Sequence, residues 1–552
     1  MTTPAATVAA LLRGRADDDT LGLVVDNRRW TWREVVEESD RRAAALATLR
    51  RPGRPFHVGV LMGNEPEYLF ALLGAARVGC VVVGINDTRR GDKLARDIRH
   101  TDCAAVLCDA SRAPLLEDLD LGDTTVLPAS GAEWGDRVAA ATAPAAPATA
   151  AVSRDDLYIL IFTSGSTGAP KAVRMSQGRA ARAATSSTWS TSDDVLYCAM
   201  PLFHGNALNA IVLPALASGA AIALRERFSA SQFMPDVRRH RATFFSTVGR
   251  ALAYILATPP GSDDRDHCVR FALAPEASAR DMRVFQERFG IHCISGYGSS
   301  ENAIIMVPVP GLPTDALGVP QDGLDVVVVD PATGDERARA RFDEGGKLLN
   351  GADAIGEIVG RNVVDRFEGY YNNPEAEAER TRNGWYWSGD LGYRDEVDVF
   401  YFAGRTGEWL RVDSENFATA PVERILERAP GVNGVAVYPV PDERTADDQI
   451  MATIEMESGV EFDPDAFGRF LAEQRDLGTK WAPRYVRVAT LPVGATNKVD
   501  KRPLRTERWY TDDPVYWRPT GELTYRRFDA NDLRALEMRF REHGRADAIG
   551  RP

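Results

Sequence analysis

The run Thr163-Ser164-Gly165-Ser166-Thr167-Gly168-Ala169-Pro170-Lys171 concentrates glycines, hydroxyls and one ammonium in a few positions. Glycines let backbone N–H groups crowd around an anion without Cβ clashes. The hydroxyls add donors and Lys171 adds charge, which is the chemistry of a phosphate-cradling loop. It is not the GxxxxGK[ST] loop, because Lys171 follows Pro170 and precedes Ala172. Taken alone, a Gly/Ser turn after a strand explains the same residues.

Five further groups carry polar residues of chemical interest: His204 in Pro201–Gly205, Tyr297-Gly298-Ser299-Ser300-Glu301, Asp390 in Trp387–Leu391, Arg405 in Gly404–Gly407, and Lys498 after Thr496-Asn497. Each has an ordinary reading. His204 would be a packed or capping side chain, Glu301 a solvated residue on a Gly-rich turn, and Ser388-Gly389-Asp390 a plain turn. Arg405 and Lys498 would be solvated cations.

Together, and in this order, the six motifs resemble those of the adenylate-forming superfamily: acyl-CoA synthetases, luciferases and peptide-synthetase adenylation domains. The resemblance spans 163–498, and the flanks fit as well. It implies ATP, Mg2+ and coenzyme A as cofactors. Thr163, Ser164, Gly165, Ser166, Thr167, Gly168 and Lys171 would bind the β- and γ-phosphates. Tyr297, with Gly298, Ser299, Ser300 and Glu276, would border the adenine and nucleotide. Glu301, with Thr163, would hold Mg2+. Asp390 would accept from the ribose hydroxyls, as an ionised carboxylate can, and Arg405 would meet ribose and α-phosphate. Lys498 would reach the carboxylate and α-phosphate, and His204 would line the acyl pocket with Asn209, Val248, Ala274 and Ala303. Gly407 would be the hinge about which a small domain turns, bringing Arg411 and Ser414 to the coenzyme A side.

Gly404 to Glu408, Glu415-Asn416 and Asp513 to Tyr516 resemble the fatty-acid-transport-protein and very-long-chain acyl-CoA synthetase branch. Pro201 to Asn206, Phe228 to Phe233 and Phe402 to Val412 are similar to actinobacterial ligases of steroid side-chain acids. The resemblance implies a bulky, apolar acid, polycyclic or long-chain, and the segments it assigns to the pocket, Ala207 to Leu213, Phe244 to Leu252 and Ala303 to Val307, are mostly apolar or small, with Arg250 the exception. Three departures stand out, one of them the Gly407 hinge position, which is shared with the transport-protein branch. Ala274-Pro275-Glu276-Ala277 replaces Gly-Asn-Glu-Gly, and Asp413-Ser414 puts a Cβ where relatives carry glycine. Ser414 keeps open a second reading, adenylation alone with a separate partner enzyme forming the thioester. A transport or scaffold protein without catalysis is disfavoured by the complete set of motif residues.

These residues need a frame. Leu157 to Phe162 reads as the strand feeding the phosphate loop. Strands at His57–Met62, Cys80–Ile85 and Ala104–Cys108 alternate with helices at Arg33–Leu49, Glu65–Arg77 and Asp92–His100, with Thr31 capping the first helix and Gly79 ending the second. That alternation predicts a parallel sheet. Residues 138–152, rich in Ala, Pro and Thr, read as a surface connection. Helices are expected at Gly178–Thr188 and, capped by Ser229, at Phe228–His240. Short strands are expected at Val195–Met200, Phe271–Ala274, His292–Ser295, Val326–Asp330, Gly356–Val359 and Trp385–Leu391. Ile211–Leu224 reads as buried core. Past Arg405, a helix (Ala420–Arg428), a strand (Val432–Val437) and a helix (Asp465–Arg475) suggest a smaller α+β unit. The fold class is α/β: a large domain of stacked, mostly parallel sheets over 1–404, and a small mobile α+β domain over 405–552.

At 552 residues the chain exceeds the ~250–300 at which one core stops growing. A net charge of −13 offers no general attraction to nucleic acid. Six cysteines without a CxxC read as buried thiols of a reducing compartment. No signal-peptide pattern or spanning apolar run is visible, so a cytoplasmic protein is expected, with a small-molecule acid and coenzyme A as its partners and room for a homodimer.

Overall fold

The computed structural model describes residues 6–140, 152–163, 171–277, 279–309, 311–313, 316–344, 348–405, 409–412, 415–445, 448–474, 477, 480–494, 498–519 and 521–549. The chain divides into two compact units, Met1–Ala303 with Asp365–Glu379, and Ile304–Val364 with Arg380–Pro552.

The first unit contains β1 (Leu21–Val25), β2 (Arg28–Thr31), β3 (His57–Leu61), β4 (Val81–Gly84), β5 (Cys103–Cys108), β6 (Thr125–Pro128), β7 (Leu157–Thr163), β8 (Lys171–Ser176), β9 (Val195–Cys198), β10 (Ala221–Leu224), β11 (Phe244–Ser246), β12 (Phe271–Leu273), β13 (Cys293–Ile294) and β14 (Tyr297–Gly298). One sheet runs β6-β5-β3-β4-β7-β8 and is parallel except at the β7–β8 pair. The other runs β13-β12-β11-β9-β10-β1-β2 and is parallel except at the β1–β2 hairpin. Every residue of β3, β4 and β5 is buried. Continuous apolar strands of that kind fit a parallel sheet covered on both faces.

Local signals explain the intervening helices. Thr31 caps helix Trp32–Ala47 in a capping box with Glu34. Helix Pro66–Val78 starts on proline, is buried along most of its length, and ends at Gly79 in the left-handed region. Ser229 sits at the N-cap of Ala230–Arg239, but its hydroxyl pairs with Ser231 at 3.5 Å and makes no cap bond, contrary to expectation. Residues 211–224 are core as expected, split into a buried helix Leu213–Ser218 and β10. Five cysteines are buried, whereas Cys268 is exposed because it lies in the irregular 261–270 connection, outside the strands.

The second unit opens with an antiparallel sheet, β15 (Ile305–Val307), β16 (Ala316–Pro320), β17 (Val326–Val329), β18 (Gly356–Gly360), β19 (Tyr386–Arg394) and β20 (Phe400–Arg405), in the order β15-β16-β20-β19-β18-β17. The hairpin β21 (Trp409–Val412) and β22 (Glu415–Ala418) follows. Then β23 (Val432–Pro441), β24 (Asp448–Met456), β25 (Tyr485–Val488), β26 (Val515–Trp517) and β27 (Arg526–Arg527) form a mixed sheet in that order. Among the described residues, one buried cluster of this unit runs from Ala316 to Ala403 and another from Leu410 to Tyr525. The fold is mixed α/β, with parallel sheets and helices, as expected. Among the described residues no helix is long and apolar enough to cross a membrane.

Candidate active site

Two clamps, the first joining the two sheets and the second joining neighbouring strands of one sheet, shape the C-terminal ends of the strands in the first unit. Asn64, just past β3, donates to the carbonyls of Met200 (2.8 Å) and Arg225 (3.0 Å) and accepts from Leu202 N (2.9 Å). That ties the end of β3 to the Pro201–Gly205 turn. His204 ends the turn half-buried, and its Nδ1 accepts from Asn206 N at 3.4 Å. The chain then winds into a π-helical stretch, Leu208–Val212, which carries Asn209. Such wide turns recur at functional sites. The second clamp lies beside β11 and β12. Thr247 N donates to Leu273 O (2.8 Å) and Gly249 N to Pro275 O (3.1 Å). A Cβ on Gly249 would strike the carbonyl of Glu276, so only glycine lets helix Gly249–Leu256 start this close to the 274–277 turn. Val248 and Ala274 are buried there, and Glu276 takes φ +64. That conformation costs a non-glycine residue roughly 1–2 kcal/mol. Ala303 is buried as well.

The phosphate-loop residues Ser164 to Gly168 lie outside the described residues. Their flanks do not. Thr163 ends β7 and pairs with Lys171 at the start of β8. The Lys171 side chain is mostly buried, and its Nζ lies 3.6 Å from Glu379 Oε2 and 5.8 Å from the centre of the Tyr370 ring. At the far end of β8, Ser176 caps the next helix: its hydroxyl accepts from Arg179 N, and its N and Oγ both donate at 2.6 Å to Glu368. The buried Arg179 guanidinium donates to the carbonyls of Arg174 and Ser300. Ser300 is therefore held from below, and Glu301 after it is 7% exposed and accepts from the Tyr370 hydroxyl at 2.7 Å. Tyr297 and Gly298 form β14, and Asn302 N closes the motif on Ser299 O (3.0 Å). Lys171 and Glu301 are thus linked through one tyrosine that the sequence reading left out. Its only sequence signal was the run Gly369-Tyr370-Tyr371-Asn372-Asn373-Pro374.

In the second unit, Asp390 sits in β19 opposite Arg405 of β20. Gly389 beside it has φ +73, and a Cβ there would collide with the Arg380 guanidinium. Ser388 Oγ donates to Ile358 O (2.6 Å) and accepts from Asp390 N (3.0 Å). Glu357, 3% exposed, accepts from Gly389 N at 2.8 Å, with Arg382 3.7 Å away. Burial raises the Glu357 carboxyl above the usual range, against the Gly389 N–H and the two arginines, which lower it. Glu357 and Arg179 were also missed, since neither stands in a motif. Lys498 lies on a short loop closed by Gly494 N to Lys498 O (2.8 Å) and by the Val493–Val499 bridge. Gly407, Ser414 and the side chains of Arg405 and Arg411 lie outside the described residues.

In the first unit, β8 opens on the buried Lys171, which faces the ring of Tyr370, and the Tyr370 hydroxyl holds the buried Glu301; in the second unit, Asp390 lies in β19 beside Gly389. The chain belongs to the AMP-binding enzyme family, which it matches over residues 13–371. It is an acid–thiol ligase of the AMP-forming acyl-CoA synthetase type. It is 48% identical to the steroid-22-oyl-CoA synthetase of Rhodococcus jostii (strain RHA1), with 98% of each chain covered. Identity to a medium/long-chain-fatty-acid–CoA ligase of Mycobacterium tuberculosis is 41%, covering 94% of this chain and 99% of that one. The solved structure of ATP-bound MatB from Rhodopseudomonas palustris shares the fold, with a TM-score of 0.79 at 24% identity, covering 92% of this chain and 100% of that one.

Proposed function

We propose that the protein activates a bulky, apolar carboxylic acid, polycyclic or long-chain, with ATP and then transfers the acyl group to coenzyme A. The observation that carries this reading is the 48% identity, end to end, with a synthetase named for a steroid acid. The ligase at 41% identity, named for medium and long chains, supports the same class of large acid. The segments assigned to the acyl side are rich in apolar side chains, among them Phe244, Leu252, Leu208 and Ile211. Each Å² of acid taken from water there would contribute roughly 25 cal/mol.

In the first half-reaction the acid's carboxylate oxygen bonds to the α-phosphorus of ATP and the bond to the pyrophosphate oxygen breaks. The carboxylate is already ionised near pH 7, so no general base is required. Lys171 and the phosphate loop neutralise the leaving group, Lys498 offsets charge where carboxylate and α-phosphate meet, and Asp390 accepts from the ribose. A divalent cation prefers hard oxygen ligands. Glu301 suits it: one carboxylate oxygen accepts from Tyr370, and among the described residues nothing hydrogen-bonds the other. When bound, Mg2+ would neutralise phosphate charge. In the second half-reaction the thiolate of coenzyme A attacks the acyl carbonyl and AMP leaves.

The same reading assigns residues 1–404 to the nucleotide and acyl sites and 405–552 to a domain that turns about Gly407, exchanging Lys498 for Arg411 and Ser414. Its support is the change of buried cluster between Ala403 and Leu410. A substrate panel tests the proposal: pyrophosphate release with acids from acetate through long fatty acids to steroid acids, then thioester detection by mass spectrometry after adding coenzyme A. Best turnover on acetate or propionate would refute the bulky-acid reading. Pyrophosphate release without thioester would replace it with adenylation alone.

A further inference from the structure

Tyr370 is 3% exposed, and no step above uses it. Its segment lies along the free edge of β8: Val173 and Tyr370 form an antiparallel bridge, Arg174 N donates to Gly369 O (3.1 Å), and Tyr371 N donates to Ala172 O (2.8 Å). That backbone pairing fixes where the Tyr370 side chain starts. Its ring packs edge-on to Phe367 at 5.1 Å, and its face looks toward the Lys171 ammonium 5.8 Å away. Its hydroxyl donates to Glu301 Oε1 at 2.7 Å. Two residues earlier in the same segment, Glu368 holds Ser176, whose hydroxyl takes the backbone N–H of Arg179, and Arg179 holds the carbonyl of Ser300. One short segment therefore fixes both the backbone before Glu301 and its carboxylate.

We infer that Tyr370 is a positioning residue, one that aims the Glu301 carboxylate at the divalent cation and holds Lys171 at the phosphate end of the same site. The inference rests on the reading of Glu301 as the metal carboxylate. A hydroxyl bound to an ionised carboxylate makes a strong, directional hydrogen bond. It occupies one oxygen, leaves the other for the cation, and selects a rotamer before the cation arrives. Residues that orient a metal's ligands typically change affinity 10–100-fold when removed. A face toward an ammonium within about 6 Å adds cation–π attraction for Lys171. A purely structural ring here would be served equally well by phenylalanine, which makes the hydroxyl the discriminating group.

The test uses the full chain and its Tyr370→Phe variant, with Mn2+ as the probe. Free Mn2+ is titrated by electron paramagnetic resonance in the presence of a non-hydrolysable ATP analogue. The expected result is Mn2+ binding weakened about tenfold, with the KM for the acid unchanged. Glu301→Gln serves as the reference. If Glu301→Gln weakens Mn2+ binding and Tyr370→Phe does not, the inference falls and the metal role of Glu301 stands. If neither does, the metal role itself falls, and the inference with it. A Tyr370→Phe protein that melts early and loses acid affinity in step with Mn2+ would make the residue structural and overturn the inference.

Discussion

Under the proposed function, Lys498 and Glu301 would bring two charges to one reaction from different settings. Glu301 is buried and its carboxylate is held by Tyr370, whereas Lys498 stands beside the Val493–Val499 bridge, its carbonyl accepting from Gly494 N. A charge required only where carboxylate meets α-phosphate affects one half-reaction. Lys498→Ala is therefore expected to cut acyl-AMP formation about 100-fold or more, the scale of losing one donor to a developing charge. Thioester formation from pre-formed acyl-AMP should stay within a few-fold of the parent. Equal losses in the two half-reactions, measured separately, would mark the lysine as structural.

Strands do the fine positioning, and two of them yield predictions. In β19 the bulge at Gly389 sets the direction of Asp390, with Glu357 on its N–H and Arg380 in the space a side chain would fill. Gly389→Ala should strain the backbone by roughly 1–2 kcal/mol and displace Arg380. The KM for ATP should rise more than the KM for the acid. A steady-state comparison in which both rise equally would detach Asp390 from the nucleotide. In β3, His57 is buried and its Nδ1 lies 2.8 Å from Thr101 O. Burial lowers its pKa below the ordinary 6.5, despite the opposing pull of the Thr101 carbonyl and Asp102. The fold thus prefers the neutral ring, and below about pH 6.5 the unfolded chain takes up the extra proton. Stability contributed by His57 is present above that pH and is lost as pH falls, by up to about 1.4 kcal/mol per unit until the folded ring also protonates. Urea unfolding at pH 8 and 5.5 should show a smaller acid loss for His57→Gln than for the parent. Parallel losses would remove His57 from the acid response.

For the whole molecule, Gly407 is assigned the turning of 405–552 between the two half-reactions. Gly407→Pro, which fixes φ near −65°, is expected to leave pyrophosphate release within about threefold and to slow thioester formation at least tenfold. The reverse pattern in stopped assays would sink the rotation scheme. How much could be read in advance depended on range. Continuous apolar runs such as 57–61 and 103–108, and caps such as Thr31 with Glu34, act within a few residues and were legible. β8 was not, because Lys171-Ala-Val-Arg-Met-Ser lacks a clear period and is a strand only through its pairing with β7. The candidate residues stood out through their motifs. Their supports did not: Tyr370 meets Glu301 across 69 positions, and Arg179 meets Ser300 across 121.

The chain leaves its first compact unit at Ala303 and returns to it for Asp365–Glu379. On the ribosome that order becomes a delay. β8 emerges early, yet residues 369–371, which cover its edge, are made only after residues 304–364 of the other unit. Ser176 and Gly369 are 193 positions apart, so at about 5–20 residues per second β8 would wait roughly 10–40 s with an unpaired edge. An open strand edge is a template for joining another chain. Nascent protein stalled or ended near residue 303 would therefore be aggregation-prone, and would lack the tyrosine that its own Glu301 needs.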